Sequence, residues 1–327
     1  MKAFVTGATG FVGSHLVDRL IEKGIEPYCL KRKTSNTRWL DGKPVKYVDG
    51  DLFSNEALEK VIKDMDFVFH VAGVVKSKNK EGYVKGNHLA TKNLLEITKK
   101  VNPGIKKFVH ISSLAVCGPT PKGVAIDETY EPKPMTTYAV TKLEAEKEVM
   151  KHKDEMNVTI IRPPAVYGPR DTEILIYFQT FQKGLNSLIG FGEKYLTLSY
   201  VKELSEGIML AAEKDASNGQ IYFIGSDNAY NWDEIGQITS TILNKKSLKL
   251  RIPHFFVFSV GYMAEYFGKI ANKAVTLNVE KVKDITASAW VCSSEKAKRE
   301  LGYNPTISLE DGFRETAEWY KKEGWLK

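Results

Sequence analysis

Short runs of β-branched and aromatic residues, each bounded by turn formers, recur along the first half of the chain. They fall at KAFVTG (2–7), PYCLK (27–31), VKYVDGD (45–51), DFVFHVAG (66–73), KFVHISS (107–113) and NVTIIRPP (157–164). Between most of them apolar residues return every three or four positions, as in SHLVDRLIEKG (14–24), NEALEKVIKDM (55–65) and TKNLLEITKKV (91–101). Short apolar runs of this kind suit strands, and a period near 3.6 suits helices with one apolar face. Their alternation predicts an α/β protein with a doubly wound parallel sheet and helices on both faces. Such a sheet binds ligands at the carboxyl ends of its strands, near the point where strand order reverses.

Beyond about residue 165 the rhythm changes. Stretches rich in tyrosine and phenylalanine, such as TEILIYFQTFQKGLNSLIGFG (172–192), and short strands at YLTLSYV (195–201) and GQIYFIG (219–225) replace the regular alternation. The chain is expected to divide there into a regular part over 1–165 and a smaller covering part over 166–327, with 219–225 a candidate edge strand of the main sheet. No repeat, low-complexity tract or Pro/Gly/Ser linker separates the two, so close fusion is expected. The apolar stretch PHFFVFSVGYMAEYFG (253–268) is broken by Ser259, Gly261 and Glu265 and falls short of the ~20 residues of a span. It predicts a buried or substrate-lining helix and no membrane span.

Of the 327 residues 43% are apolar, enough for a sizeable core. The net charge of +7 is spread in mixed patches such as EAEKEVMKHKDE (144–155), without interleaved aromatics, so no nucleic-acid partner is expected. Cys29, Cys117 and Cys292 lie far apart with no C-x-x-C pair, and the six histidines form no ligand-spaced group. Neither a disulfide scaffold nor a metal is expected, and a reducing compartment is. MKAFVTG enters a strand with no apolar leader, which makes a cytoplasmic location the expectation.

The first strand runs into TGATGFVGSH (6–15), with glycines at 7, 10 and 13. Glycines there permit a sharp turn, close approach of a pyrophosphate to the amides, and a helix N-terminus packed near the sheet. The spacing is G-x-x-G-x-x-G rather than the usual G-x-G-x-x-G, so position directly after the first strand strengthens the signal. The chain resembles the extended short-chain dehydrogenase/reductases of the NAD-dependent epimerase/dehydratase superfamily. The resemblance rests on TGATGFVG (6–13), DGDL (49–52), HVAG (70–73), NHLATKNLL (87–95), HISSLAVCG (110–118), YAVTK (138–142), RPPAVYGP (162–169) and WVCSSEKAKRELGYNP (290–305), in that family's order. It implies a dinucleotide-binding Rossmann domain over 1–165 and a substrate-binding part over 166–327. The implied phosphate loop is Gly7, Thr9, Gly10, Phe11, Val12 and Gly13. Leu52, Val71, Ala72, Gly73, Pro163 and Val166 are further implied cofactor contacts.

Tyr138 and Lys142 share a helical face by spacing alone, as any i, i+4 pair does. The family's order adds that a catalytic serine, here Ser113, precedes the tyrosine by about 25 residues, and no other tyrosine of this chain has a lysine four places on. Ser112 is expected in the strand core. A free phenol titrates near pH 10, and a cation about 4 Å away at an effective dielectric of ~20 is worth on the order of 4 kcal/mol. Lys142 is therefore expected to draw Tyr138 towards neutral pH, and by resemblance to hold the nicotinamide ribose. Tyr138 would exchange a proton with a carbonyl or alcohol oxygen that Ser113 hydrogen-bonds. Asn87 would support the site backbone and the water path to Lys142, or else serve as a helix N-cap.

Asp51 resembles the family's adenine acceptor, with a plain strand-end turn as the other explanation. Where NAD-preferring members carry an acid for the ribose 2′-hydroxyl, this chain has Lys31 and Arg32. Cations there suit a 2′-phosphate, so NADP(H) is favoured; NAD(H) remains if both point to solvent. The favoured activity is ketone/alcohol oxidoreduction on an apolar carbonyl compound, as in the dihydroflavonol-reductase and 3β-hydroxysteroid-dehydrogenase branch. Val74, Val75, Tyr167, Phe178, Phe181 and Tyr195 are a hint of a lining, or simply core. The alternatives are a nucleotide-sugar epimerase with retained NAD, for which Lys194 is the nearest cation to the family's diphosphate arginine, and a non-catalytic dinucleotide sensor. A homodimer packing helices near 87–101 and 137–152 is a further expectation, with Val140, Leu143 and Met150 facing either the partner or their own sheet.

Overall fold

In a computed structural model describing residues 1–271, 275 and 278–327, the first half alternates as its pattern predicts. Strands β1 (Lys2–Thr6), β2 (Glu26–Lys31), β3 (Lys46–Asp49), β4 (Phe67–His70), β5 (Lys107–Ile111) and β6 (Val158–Arg162) are joined in part by helices α1 (Phe11–Glu22), α2 (Asn55–Ile62), α3 (Lys80–Tyr83), α4 (Ala90–Val101) and α5 (Thr137–Lys151). A π-helical turn over Val84–Leu89 runs between α3 and α4.

The second half follows with β7 (Ala165–Tyr167), α6 (Glu173–Gln182), β8 (Leu185–Ile189), β9 (Tyr195–Tyr200), α7 (Val201–Glu213) and β10 (Gln220–Phe223). Then come β11 (Ala229–Asn231), α8 (Trp232–Leu243), β12 (Leu248–Ile252), α9 (His254–Ile270), α10 (Val279–Thr286), β13 (Ala289–Trp290), α11 (Glu295–Leu301) and α12 (Leu309–Lys322). Seven strands form one parallel sheet in the order β10-β6-β5-β4-β1-β2-β3. The order reverses between β1 and β4, which makes the fold a doubly wound Rossmann type.

The central strands are apolar on both faces because helices cover both. Ala3, Val5, Phe67, Phe69, Val109 and Ile111 point into one layer with Leu16 and Leu20 of α1 and Ile208 of α7. Their neighbours Phe4, Val68, Phe108 and Ile160 point into the other, against Leu58 of α2, Leu94 of α4 and Val149 of α5. This is the period of two that strand geometry imposes. β10 lies in register on β6, Tyr222 opposite Ile161, so the later half closes one edge of the sheet.

A smaller sheet in the order β11-β9-β13, with β7 beside β9, and the two-strand pair β8–β12 build the rest. Tyr167, Phe178 and Phe181 are buried there, and the first two pack with Phe313 of α12. Their apolar character is core, and the hint of a substrate lining at these three positions is corrected. A second correction concerns 253–268. α9 is neither buried nor a lining element, because Phe255, Phe256, Tyr262, Met263, Tyr266 and Phe267 face outward. No helix among the described residues is long and apolar enough to cross a membrane.

One buried ion pair ties α5 to the sheet. The Arg162 guanidinium donates from Nε and Nη2 to both carboxylate oxygens of Glu146, at 2.9 and 2.6 Å, and both side chains are almost fully buried. Glu146→Ala would leave the guanidinium uncompensated in the core, an expected loss of about 3–5 kcal/mol in urea unfolding. Replacing both partners together, Glu146→Leu with Arg162→Met, should cost clearly less than the single change.

Candidate active site

The glycine loop leaves β1 and turns at Gly7, whose φ of 71° is left-handed. A Cβ at Gly7 would stand 2.7 Å from the Ala72 amide nitrogen, and one at Gly13 would stand 2.1 Å from the Gly7 carbonyl oxygen. Those contacts explain why glycine occupies both positions. α1 begins at Phe11 with no side chain capping it and no acid in its first turn, so its amides and dipole are left for an anion. Thr9, Val12 and Phe11 lie on this turn, with the Phe11 ring edge-on to His15. The loop thus fits a dinucleotide pyrophosphate.

At the adenosine end a cleft of ≈ 430 Å³ is lined by Arg32, Lys33, Thr34, Asp49, Gly50, Asp51 and Ser54. Lys31 is not among those lining residues; its ammonium pairs with Asp49 Oδ1 at 2.5 Å. Lys33, not singled out from the sequence, lines the cleft with Arg32. Asp51 Oδ1 accepts from the Phe53 amide at 2.8 Å and the Ser54 hydroxyl at 3.2 Å, the strand-end turn that is its alternative explanation. Leu52 is half-buried against the α2–α4 core.

Near the nicotinamide end, three elements converge at the carboxyl edge of β4, β5 and β6. Ser113 caps a short 3-10 turn after β5, and its Oγ accepts from the Ala115 amide at 3.2 Å. The Pro163 carbonyl beyond β6 accepts from the Leu114 amide at 2.9 Å, while Val166 on β7 packs into the α1-side core. Ser112, one residue beyond the end of β5 rather than in the strand, is buried with its hydroxyl unpartnered. Tyr138 sits in the first turn of α5, capped by Thr136, with its phenol near enough to the Ser113 hydroxyl for that group to act on its proton affinity. Val71, Ala72 and Gly73 run out of β4; Gly73 faces Asn87 and Lys142, since a Cβ there would lie 3.5 Å from Asn87 Oδ1 and 3.9 Å from Lys142 Nζ.

Asn87 lies within the π-helical turn and is not an N-cap. Its Oδ1 accepts from the Val74 amide at 2.7 Å, and its Nδ2 donates to the Val74 carbonyl at 3.1 Å and to Thr141 Oγ1 at 3.0 Å. One amide therefore clamps the β4 exit loop to α5. An insertion of one residue into the helical repeat aims the side chain inward here, a frequent device at functional sites.

Burial pushes the Tyr138 phenol up to about 12, with the nearby Ser113 hydroxyl opposing. Lys142 is buried too, and burial pulls its ammonium down to about 8 while Glu146 opposes. Its Nζ donates to the Ile111 carbonyl at 2.5 Å and lies 3.4 Å from His110 Nε2. For both groups desolvation is the largest cause, because burial disfavours whichever form is charged. His70 and His110 stack behind it with ring centroids 5.2 Å apart, and burial holds both far below the usual histidine range.

Several polar groups here carried no sequence signal. Glu280 of α10 accepts from the Thr137 amide and hydroxyl at 3.0 and 2.6 Å, tying the N-terminus of α5. Burial raises the Asp284 carboxyl, also on α10, to about 6, and its charge acts on Tyr138. Lys194 is committed elsewhere, donating to the Ile285 carbonyl at 2.7 Å.

The family model described as "NAD dependent epimerase/dehydratase family" matches residues 3–225. The chain is 27% identical to the ceramide reductase of Caulobacter vibrioides, over 98% of this chain and 95% of that one. It is 29% identical to the decarboxylating sterol-4-alpha-carboxylate 3-dehydrogenase of Bos taurus, over 96% and 91%. Its fold superposes on the crystal structure of gox2253 with a TM-score of 0.83 at 26% identity, covering 99% of both chains.

Burial of Lys142 has a pH signature. Its folded affinity lies near 8 and an unfolded lysine's near 10.5, so between those values the unfolded chain holds more protons and stability rises with pH. Relative to Lys142→Met, wild type should gain up to about 1.4 kcal/mol per pH unit from pH 8 to 10, measured by urea unfolding; a flat difference would show an ammonium in water.

Proposed function

Because the chain belongs to the NAD-dependent epimerase/dehydratase family and is an enzyme of the extended short-chain dehydrogenase/reductase type, we propose that it is an NADP(H)-dependent oxidoreductase acting on an apolar ketone or secondary alcohol. The observation that carries this is the convergence, at the sheet's carboxyl edge, of Ser113 after β5 and of Tyr138 and the buried Lys142 one helical turn apart on α5, with Lys142 Nζ held by the Ile111 carbonyl. A bound nicotinamide supplies or accepts the hydride at the carbonyl carbon. Tyr138 gives its proton to the carbonyl oxygen and Ser113 steadies the same oxygen by a hydrogen bond. A phenol raised to about 12 rests protonated at neutral pH, ready as an acid for the reducing direction. Lys142, poised near 8, is matched to return the proton, and Asn87 holds the loop beside it.

Relatives named for ceramide and sterol substrates support an apolar carbonyl compound. Nucleotide-sugar epimerisation shares the Ser-Tyr-Lys set, but Lys194, the cation nearest the position of a diphosphate clamp, is spent on the Ile285 carbonyl. Buried, unpaired Cys29, Cys117 and Cys292 suit the cytoplasm. Exposed Leu89 and Val140 support a homodimer across the outer faces of α4 and α5, whereas Met150 and Leu143 pack inward.

Tyr138→Phe should lower kcat for ketone reduction by roughly 10²–10⁴, followed by loss of NADPH absorbance, with NADPH affinity within about 3-fold of wild type. Unchanged turnover would remove the mechanism. Arg32→Ala with Lys33→Ala should weaken NADPH roughly 10- to 100-fold and NADH only about 3-fold, while Lys31→Ala should do much less; equal losses of both cofactors would return the preference to NAD.

A further inference from the structure

We propose that α9, with the strand edge before it, is a docking face for an anionic lipid bilayer. A helix on a soluble protein normally buries its apolar stripe. α9 does the reverse. Its inward stripe is narrow and small: Val257, Gly261 and Gly268 are buried, and a Cβ on Gly261 would stand 2.8 Å from Val282 of α10. Its outward face carries Phe255, Phe256, Tyr262, Met263, Tyr266 and Phe267, each 54–72% exposed. With Ser259 the polar exception, that face spans roughly 140° of the circumference at 3.6 residues per turn. Leu248 and Leu250 extend it on β12, at 68% and 45% exposed. A patch of this size on a single chain marks an interaction surface.

Charge selects the occupant. From Ile235 to Ala264 the chain has no acidic residue and carries Lys245, Lys246, Lys249 and Arg251. Lys249 and Arg251 share Asp233, at 2.7 and 3.5 Å, while Lys245 and Lys246 stand exposed just before β12, in the segment that leads into α9. Two copies meeting through this face would bring like-charged segments together. An anionic headgroup layer meets that segment with the opposite sign, and phenylalanine and tyrosine suit the boundary between headgroups and acyl chains. At 17 residues, and with no helix among the described residues that can cross a membrane, α9 would lie in the surface plane.

The face is joined to the catalytic end of α5. α9 packs on α10, whose Glu280 accepts from the amide and hydroxyl of Thr137, next to Tyr138. The docking surface stands on its own observations; the corollary, that the substrate is a lipid ketone taken up from the bilayer, rests on the oxidoreductase reading.

The test is flotation of the full chain with vesicles of phosphatidylcholine and phosphatidylglycerol at roughly 7:3, and with phosphatidylcholine alone. Binding to the anionic vesicles at low salt should exceed binding to neutral ones at least about 10-fold. The variant Phe255→Ser, Tyr266→Ser, Phe267→Ser should lose about 10-fold or more, and Lys245→Glu with Lys246→Glu should erase the anionic preference. Both should turn over a short water-soluble ketone as wild type does; if the triple variant misfolds, the charge pair decides alone. No binding to either vesicle, or binding that neither variant changes, overturns the docking face and leaves the oxidoreductase reading intact. So does a wild-type dimer that the triple variant dissociates without any vesicle binding. Vesicle binding with no turnover of any carbonyl compound keeps the face and sinks the oxidoreductase reading.

Discussion

Tyr138, Lys142 and Glu146 follow one another at four-residue intervals, so a single stripe of α5 carries the phenol, the ammonium and the carboxylate inward. The site depends on holding that stripe against the sheet. Arg162 of β6 fixes its lower end through the buried bidentate pair with Glu146, and Glu280 fixes the upper end through Thr137. Between them Asn87 reaches Thr141 and the Val74 backbone, so the β4 exit loop and α5 are held in one register. A rotation of α5 by one residue would break all three contacts together.

That arrangement places an ammonium where water is scarce, and the consequences run in opposite directions for the two titrating groups. Burial disfavours whichever form is charged, raising the phenol and lowering the lysine. The Ile111 carbonyl accepts from the lysine and His110 Nε2 lies 3.4 Å from it, so part of the ammonium's hydrogen bonding is met by the end of β5. Burial thus leaves the phenol near 12 and the ammonium near 8 on one helix face.

Apolar surface is distributed just as unevenly. Around the sheet it is consumed in two helix layers, and the aromatic residues of 167–181 close a second core against α12. α9 is held by a stripe of valine and glycines, with aromatic side chains left on the outside. A helix with its aromatic face outward and a core stabilised by ordinary packing thus coexist in one chain, distinguished by which face carries the small residues.

The parallel strands, their helices and the glycine loop were legible in the sequence because each is a local pattern: a short apolar run, a 3.6 period, or glycines where a Cβ would strike Ala72 or Gly7. Ser113, Tyr138 and Lys142 were legible by order along the chain, and Arg32 by its place after β2. Periodicity has no sign, so it could not say whether 253–268 turned its apolar face in or out, nor that Phe178 and Phe181 were core. Side chains that meet across long separations, Lys31 with Asp49, Glu146 with Arg162, Thr137 with Glu280, leave no mark in a local window. Their pairing sets burial and charge, and these decided which cation faces the adenosine cleft and how tightly each group at the site holds its proton.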